Sequence, residues 1–198
     1  MSSESGLKTV RRRMGTPDSA TFNQLLDATE RVMRNEGYAA ATSRKIALEA
    51  GLKQQLVYYY FETMDDLLLA AFKRRTVLAL ERIEEEITTD RPIQAIWKTW
   101  ISSVDAKLVF EFMALANHHD GVRDEVNRFL GISRQKHSEA IARQLEKRNN
   151  APKLLTPDAL AFLLHSTSLI MGREAAMGTT SGHEDVLKLV DWVIDQIG

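Results

Sequence analysis

The side chains best suited to recognition chemistry fall between residues 42 and 61. Gln54, Gln55 and Tyr58 recur at i, i+1 and i+4, so a helix gathers them on one face. A Gln amide can pair with the adenine edge exposed in a DNA major groove. Lys53, Tyr58 and Thr42 suit phosphates. Ser43, Arg44 and Tyr59 complete the candidate DNA-binding set. Leu56, Val57, Tyr60 and Phe61 fall largely on the opposite face and give that helix a surface to pack with. The chemistry on offer is hydrogen bonding to base edges, flanked by groups that hold a backbone.

Those residues need a support, and the surrounding sequence supplies the signals for one. Thr42 stands where a helix N-cap belongs, and Ile46, Ala47 and Ala50 follow as an apolar stripe. Gly51 comes next, at the point where a helix end favours positive φ, and Leu52 can plug the gap between two short helices. The pattern is helix, turn, helix. Such corners also occur as plain packing units, so spacing alone leaves DNA reading and simple packing both open. A first helix carrying Phe22, Leu25, Leu26, Thr29, Val32 and Met33, capped by Ser19 or Thr21, would brace the pair.

From Met64 to Arg91 there is neither Gly nor Pro, which predicts one long helix of roughly 35 Å at ~1.5 Å per residue. Pro92 opens another helix, on which Ile93, Ile96, Trp97, Trp100, Ile101 and Val104 keep a helical period. A third, through Leu108, Phe110, Phe112, Met113 and Leu115, is apolar nearly all round and should be buried on more than one side. Residues 117–121 read as its end, and a longer helix runs on to Leu145. Thr156 and Pro157 cap the next helix, and Val186, Val190, Val193 and Ile197 stripe the last. No strand, repeat or low-complexity tract is evident.

The body concentrates aromatics, which serve either as ordinary core or as the wall of a ligand pocket. Trp97, Trp100, Phe110, Met113 and Phe129 are the apolar candidates for ligand binding, with Asn117, His118 and His165 as polar ones, and Phe112 and Phe162 lie in the same aromatic set. His118, His119 and Asp120 read as an exposed helix end rather than a metal site. His165 reads equally well as a hydrogen-bonded core or interface histidine. Arg173 with Glu174 is a candidate interface ion pair, and Glu84, Glu85 and Glu86 read as a solvated face. The last two helices have wide apolar faces, and Ala161, Ser166, Ser168 and Gly172 would permit close approach in a four-helix dimer interface. A single buried helical pair is the alternative.

Composition narrows the classes further. The 198 residues carry a net charge of −1, so the chain is not a general polyanion binder, yet residues 1–60 hold nine Lys/Arg against six Asp/Glu. A basic end and an acidic body would orient the protein on DNA. Residues 1–20 read as a disordered basic arm; Arg11, Arg12 and Arg13 are either a solvated tail or an arm that reaches the minor groove. The absence of cysteine excludes disulfides and thiolate metal sites and fits a reducing cytoplasm. No signal-peptide pattern is visible, and no apolar run approaches the ~20 residues of a membrane span. No phosphate loop, nucleophile elbow, paired-histidine motif or thiol nucleophile is present. Neither catalytic residues nor a cofactor are therefore expected. A helical adaptor or an enzyme of another kind stays open as a rival.

Residues 21 to 67 resemble the tetracycline-repressor (TetR) family of bacterial transcription regulators. The resemblance rests on Gly37-Tyr38 at the end of the first helix, on Thr42, Ile46-Ala47 and Ala50-Gly51, on Tyr58-Tyr59-Tyr60-Phe61 closing the second helix of the pair, and on Thr63 with Leu67. It departs from the family pattern at Lys53 and Gln55, where small residues are usual, at Tyr60 in place of His, and at Met64 in place of a phosphate-contacting Lys. The resemblance implies an all-α protein: a three-helix DNA-binding domain over residues 21–66, then a larger effector-binding and dimerisation domain over residues 67–198. It implies a homodimer formed by the last two helices, a double-stranded palindromic operator, and release of a repressor by a small effector. The aromatic candidates point to a mainly apolar or aromatic effector.

Overall fold

The computed structural model describes residues 19–147 and 154–197, and all its regular elements are helical. The N-terminal part consists of α1 (Ala20–Glu36), a short 3-10 turn (Tyr38–Ala40), α2 (Ser43–Glu49) and α3 (Gln54–Tyr60). The long α4 (Met64–Ile87) leads into α5 (Pro92–Ser103), α6 (Ala106–Ala116), α7 (Asp120–Glu146), α8 (Pro157–Ala176) and α9 (His183–Ile197). Arg11, Arg12 and Arg13 lie outside the described residues. Ser19 and Ala20, assigned above to the arm, belong to the first helix: the Ser19 hydroxyl accepts from the Phe22 N–H at 3.2 Å and so caps α1.

The expected boundary signals operate as caps. The Thr42 hydroxyl accepts from Lys45 N–H, and Thr156 does the same for Ala159 with Pro157 in the first turn. Thr63 and Asp66 form a reciprocal capping box at the start of α4. The turn after α2 needs its glycine. Gly51 has φ +67°, its N–H bonds Leu48 C=O, and Leu52 N–H reaches back to Ala47 C=O at 2.8 Å. This double closure satisfies the carbonyls left free at a helix end.

Two apolar cores result. The first gathers Leu25, Met33, Ile46, Val57 and Leu67 from α1–α4 and continues into Leu108, Phe112 and Leu115 of α6 and Val122 of α7. The boundary expected after residue 66 therefore falls inside α4, and packing runs straight across it. The second core joins Ile93, Ile96 and Trp97 of α5 with residues of α7, α8 and α9. Of the small residues of α8, Ser166 stays partly exposed, whereas Ala161 and Ser168 are buried and a Cβ on Gly172 would come within 3.0 Å of the Ala106 Cβ. The close approach that Ala161, Ser168 and Gly172 permit is to this chain's own helices. The outer surface of α8 is carried instead by Phe162, Leu163 and Ile170, with Met177 at its C-cap.

Candidate functional site

The aromatic end of α3 locks that helix to α1. Phe22 stacks on Phe61 with ring centroids 4.9 Å apart and meets Tyr60 edge-on, while the Ser19 hydroxyl donates to Tyr60 OH. Val57 is fully buried. This fixes the rotation of α3, so Gln54, Gln55, Tyr58 and Tyr59 all face solvent. Arg44 and Lys53 flank them, exposed and without an ion-pair partner among the described residues, whereas Lys45 is engaged by Glu36 and Arg31 by Glu49.

Ser43 differs from its expected place. It is buried, and its hydroxyl accepts from Gln54 Nε2 at 2.8 Å and from Tyr58 OH at 3.0 Å. It is the first residue of α2, so its side chain turns toward α3 while Thr42 and Arg44 point out. Ser43 thus holds the two exposed side chains in position from beneath.

A second site lies in the body. A cavity of about 140 Å³ opens between α4, α5, α6, α7 and α8. Trp100, Met113, Phe129 and His165 line it as expected, and Phe72, Ile83, Phe112 and Val126 add apolar wall. Four of the expected residues stand elsewhere. Trp97 is buried in the second core, its indole N–H donating to Asp191 Oδ1 at 3.2 Å. Phe110 sits under the Arg173 guanidinium, 5.9 Å from the ring centroid. Asn117 is the exposed C-cap of α6, and His118 is exposed and stacks on Tyr38. Phe162 is half exposed beneath Arg134. Within the protomer Glu174 pairs with His183 at 2.8 Å. His119 bonds Asp65 at the start of α4.

The polar part of the cavity was not anticipated. Glu86 is 6% exposed and lines the cavity, with its Oε2 3.4 Å from Nε2 of the buried His137. Only Glu84 and Glu85 keep the solvated role expected of this run. The helical phase of Ile83 could have located Glu86, since it follows one turn later on the core side. His165 packs against Trp100 with ring centroids 4.0 Å apart. Burial, followed by the charges of Arg134 and His137, lowers its pKa to about 4, so the ring is neutral at pH 7.

Residues 25–71 match the family model of bacterial regulatory proteins, tetR family. The match spans most of α1, all of α2 and α3 and the start of α4. Among curated proteins, the chain is 35% identical over 66 residues to the fatty acid metabolism regulator protein of Bacillus subtilis (strain 168), covering 33% of this chain and 34% of that protein. It is 30% identical over 116 residues to the HTH-type transcriptional regulator PksA of the same organism, covering 50% of this chain and 57% of that one. The matched segments thus span a third and somewhat over half of these relatives. A TetR transcription regulator from Haloarcula marismortui shares the fold over 89% of this chain and 97% of its own, with TM-score 0.73 and 19% identity. Within the TetR-type domain, Met64 is partly buried against the core, so its departure from the family's Lys is taken up in packing.

Proposed function

We propose that the chain is a transcriptional repressor that binds a palindromic DNA operator as a homodimer and releases it on binding a small, mainly apolar or aromatic effector. The observation that carries this reading is the exposed face of α3, where Gln54, Gln55 and Tyr58 stand between the unpaired Arg44 and Lys53 on a rigidly packed support. The family match over residues 25–71 supports it. In use, α3 enters the major groove; Gln54 and Gln55 read base edges, and Thr42, Arg44, Lys53, Tyr58 and Tyr59 hold phosphates. Ser43 acts through Gln54 and Tyr58. The setting is the cytoplasm, where the DNA is.

The dimer rests on apolar side chains that the protomer leaves in water. Phe162, Leu163 and Ile170 of α8, Met177 at its C-cap, and Leu189 and Trp192 of α9 are each about half exposed or more. Exposed large apolar side chains of this kind, several on each of two helices, mark a candidate interface. The effector reading rests on the cavity. A volume near 140 Å³ is close to that of engineered cavities that accept a single aromatic ring. Both α4 and α6 line it and also enter the core under the reading helices, so they are the carriers of an effector's influence.

The test is selection of bound fragments from genomic DNA, followed by titration of the best one at several salt concentrations. The expected result is tight binding to an inverted repeat, steeply weakened by salt. Gln54→Ala should cost about 1–3 kcal/mol of discrimination at one base pair with the fold intact. Absence of any sequence preference at low salt would remove the regulator reading. A Gly-Gly insertion near Thr76 should uncouple cavity from DNA; unchanged coupling would remove α4 as the carrier.

A further inference from the structure

The cavity wall includes one buried carboxylate, Glu86, and it lies beside buried polar groups that lack hydrogen bonds within the protomer. Glu86 Oε2 and His137 Nε2 are both shielded from solvent and neither makes a hydrogen bond. They face each other at 3.4 Å, beyond good hydrogen-bond geometry. Ser133, one turn before His137 on α7, is fully buried, and its hydroxyl also lacks a partner. A buried polar atom without a partner is destabilising, and such atoms are uncommon in folded proteins. Of the three, Glu86 lines the cavity, so its Oε2 is the atom that a ligand there could satisfy.

The charges around the cavity favour a particular occupant. Glu86 is the buried carboxylate of the cavity wall. Asp105 and Arg75 also line the cavity, but Arg34 engages the first and Glu30 the second. Arg82 is exposed, one turn before Glu86 toward solvent. His165 is neutral at pH 7 and adds no positive charge. The Trp100, Phe72, Phe112 and Phe129 rings complete the wall. A buried carboxylate whose only near partner is a histidine nitrogen at 3.4 Å, in a wall that also carries aromatic rings, is complementary to a nitrogen cation: the carboxylate takes a charge-assisted hydrogen bond, and the rings add cation–π attraction.

From this geometry we propose that the effector is a small organic amine, with an apolar body of about one ring and a protonated nitrogen received by Glu86. The inference rests on the effector reading of the cavity and specifies the chemistry of that same site. Trp100 supplies the adjoining ring face. His137, 3.4 Å from Glu86 Oε2, is not part of the cavity lining.

The test uses three matched probes on the full-length protein: 2-phenylethylamine, 2-phenylethanol and phenylacetate, by titration calorimetry with Trp fluorescence as a second readout. The amine should bind tightest and phenylacetate weakest. Glu86→Gln should weaken the amine by about tenfold or more and leave 2-phenylethanol within about threefold. Trp100→Leu, which retains the carboxylate, should weaken the amine by about twofold to thirtyfold; it decides the matter if Glu86→Gln does not fold. Preference for phenylacetate, or amine affinity indifferent to both substitutions, overturns the amine inference while the cavity stands as an effector site. Failure of all three probes at millimolar concentration overturns both.

Discussion

The N-terminal helices α1–α3 and the body helices differ in how completely their buried polar groups are bonded. In α1–α3 the two buried polar side chains are both satisfied: Thr29 donates to Leu25 C=O at 2.8 Å, and Ser43 accepts from Gln54 and Tyr58. In the body, Thr76, Glu125, Gln144 and Ser168 are also bonded, but Glu86, Ser133 and His137 each keep an atom without a hydrogen bond, and Glu86 lines a cavity of about 140 Å³. A surface that reads base edges must be held to a fraction of an ångström, so its support is closed on itself. A body that answers a ligand needs a place where packing and hydrogen bonding are incomplete until the ligand arrives. The difference separates a fixed tool from an adjustable one within one helical chain.

The largest effect that tests this contrast is a cavity-forming change on each side. Leu25 is completely buried, and Leu25→Ala should cost about 2–5 kcal/mol by denaturant titration. Met113 lines the existing cavity and is 38% exposed. Met113→Ala should cost less than about 1 kcal/mol, because there is little packing to lose. Equal costs would mean that the body is packed as tightly as the reading end.

Next in size is the outward face of the body. Trp192 is 61% exposed in the protomer. Trp192→Asp should weaken a dimer by at least about 2 kcal/mol, roughly thirtyfold in dissociation constant, as an aromatic anchor does at an interface. Sedimentation should show monomers at micromolar concentration, with protomer stability changed by about 0.5 kcal/mol or less. An unchanged dimer would place the interface on another face.

His165 gives a pH-dependent version of the contrast. Its folded pKa is about 4, below its ordinary value of 6.5, because burial disfavours the cation. Between those values the unfolded chain binds the proton and the folded chain does not, so acidification through this window destabilises the fold. From pH 7 to pH 5 this contribution amounts to about 2 kcal/mol. In His165→Gln the stability lost over that interval should shrink by a similar amount. Parallel stability–pH curves for the two proteins would show that His165 is not the group responsible.

The two regions also differ in how far their sequence could be read. The reading end announces itself through local signals: the Thr42 and Thr63 caps, the left-handed Gly51, and the split between Val57 and Gln54 within two turns. Each depends on near neighbours along the chain. The cavity depends on rotational phase among five helices, and a side chain's type does not disclose which neighbour it meets. Trp97 and Trp100 lie one turn apart on α5, yet the first turns to Asp191 of α9 and the second to His165. Phe110 and Phe112 sit on opposite sides of α6, so only Phe112 reaches the cavity. Glu86 was hidden for a related reason. In a run of three glutamates the solvated reading is natural, and only the packing of α4 against α7 buries the third.

The smallest expected effect concerns the joint between the two regions. Arg34 of α1 bonds Asp105 at 2.5 Å, and Asp105 both caps α6 and lines the cavity. Burial works against the Asp105 carboxylate, but the bonds from Arg34 and the Leu108 N–H outweigh it and hold its pKa below the ordinary value. Nearby, the Tyr38 N–H donates to Glu111 Oε2 at 2.8 Å, and Gly37, with φ +87°, lets the chain turn there. These polar clasps sit on a joint already closed by apolar packing, because Leu108, Phe112 and Leu115 of α6 belong to the same core as Leu25 and Leu67. The Arg34–Asp105 pair is partly exposed, so Arg34→Met should cost less than about 1 kcal/mol. Denaturation should keep a single transition. Two separated transitions in the variant would show that the ion pair, rather than the shared core, joins the fixed end to the adjustable one.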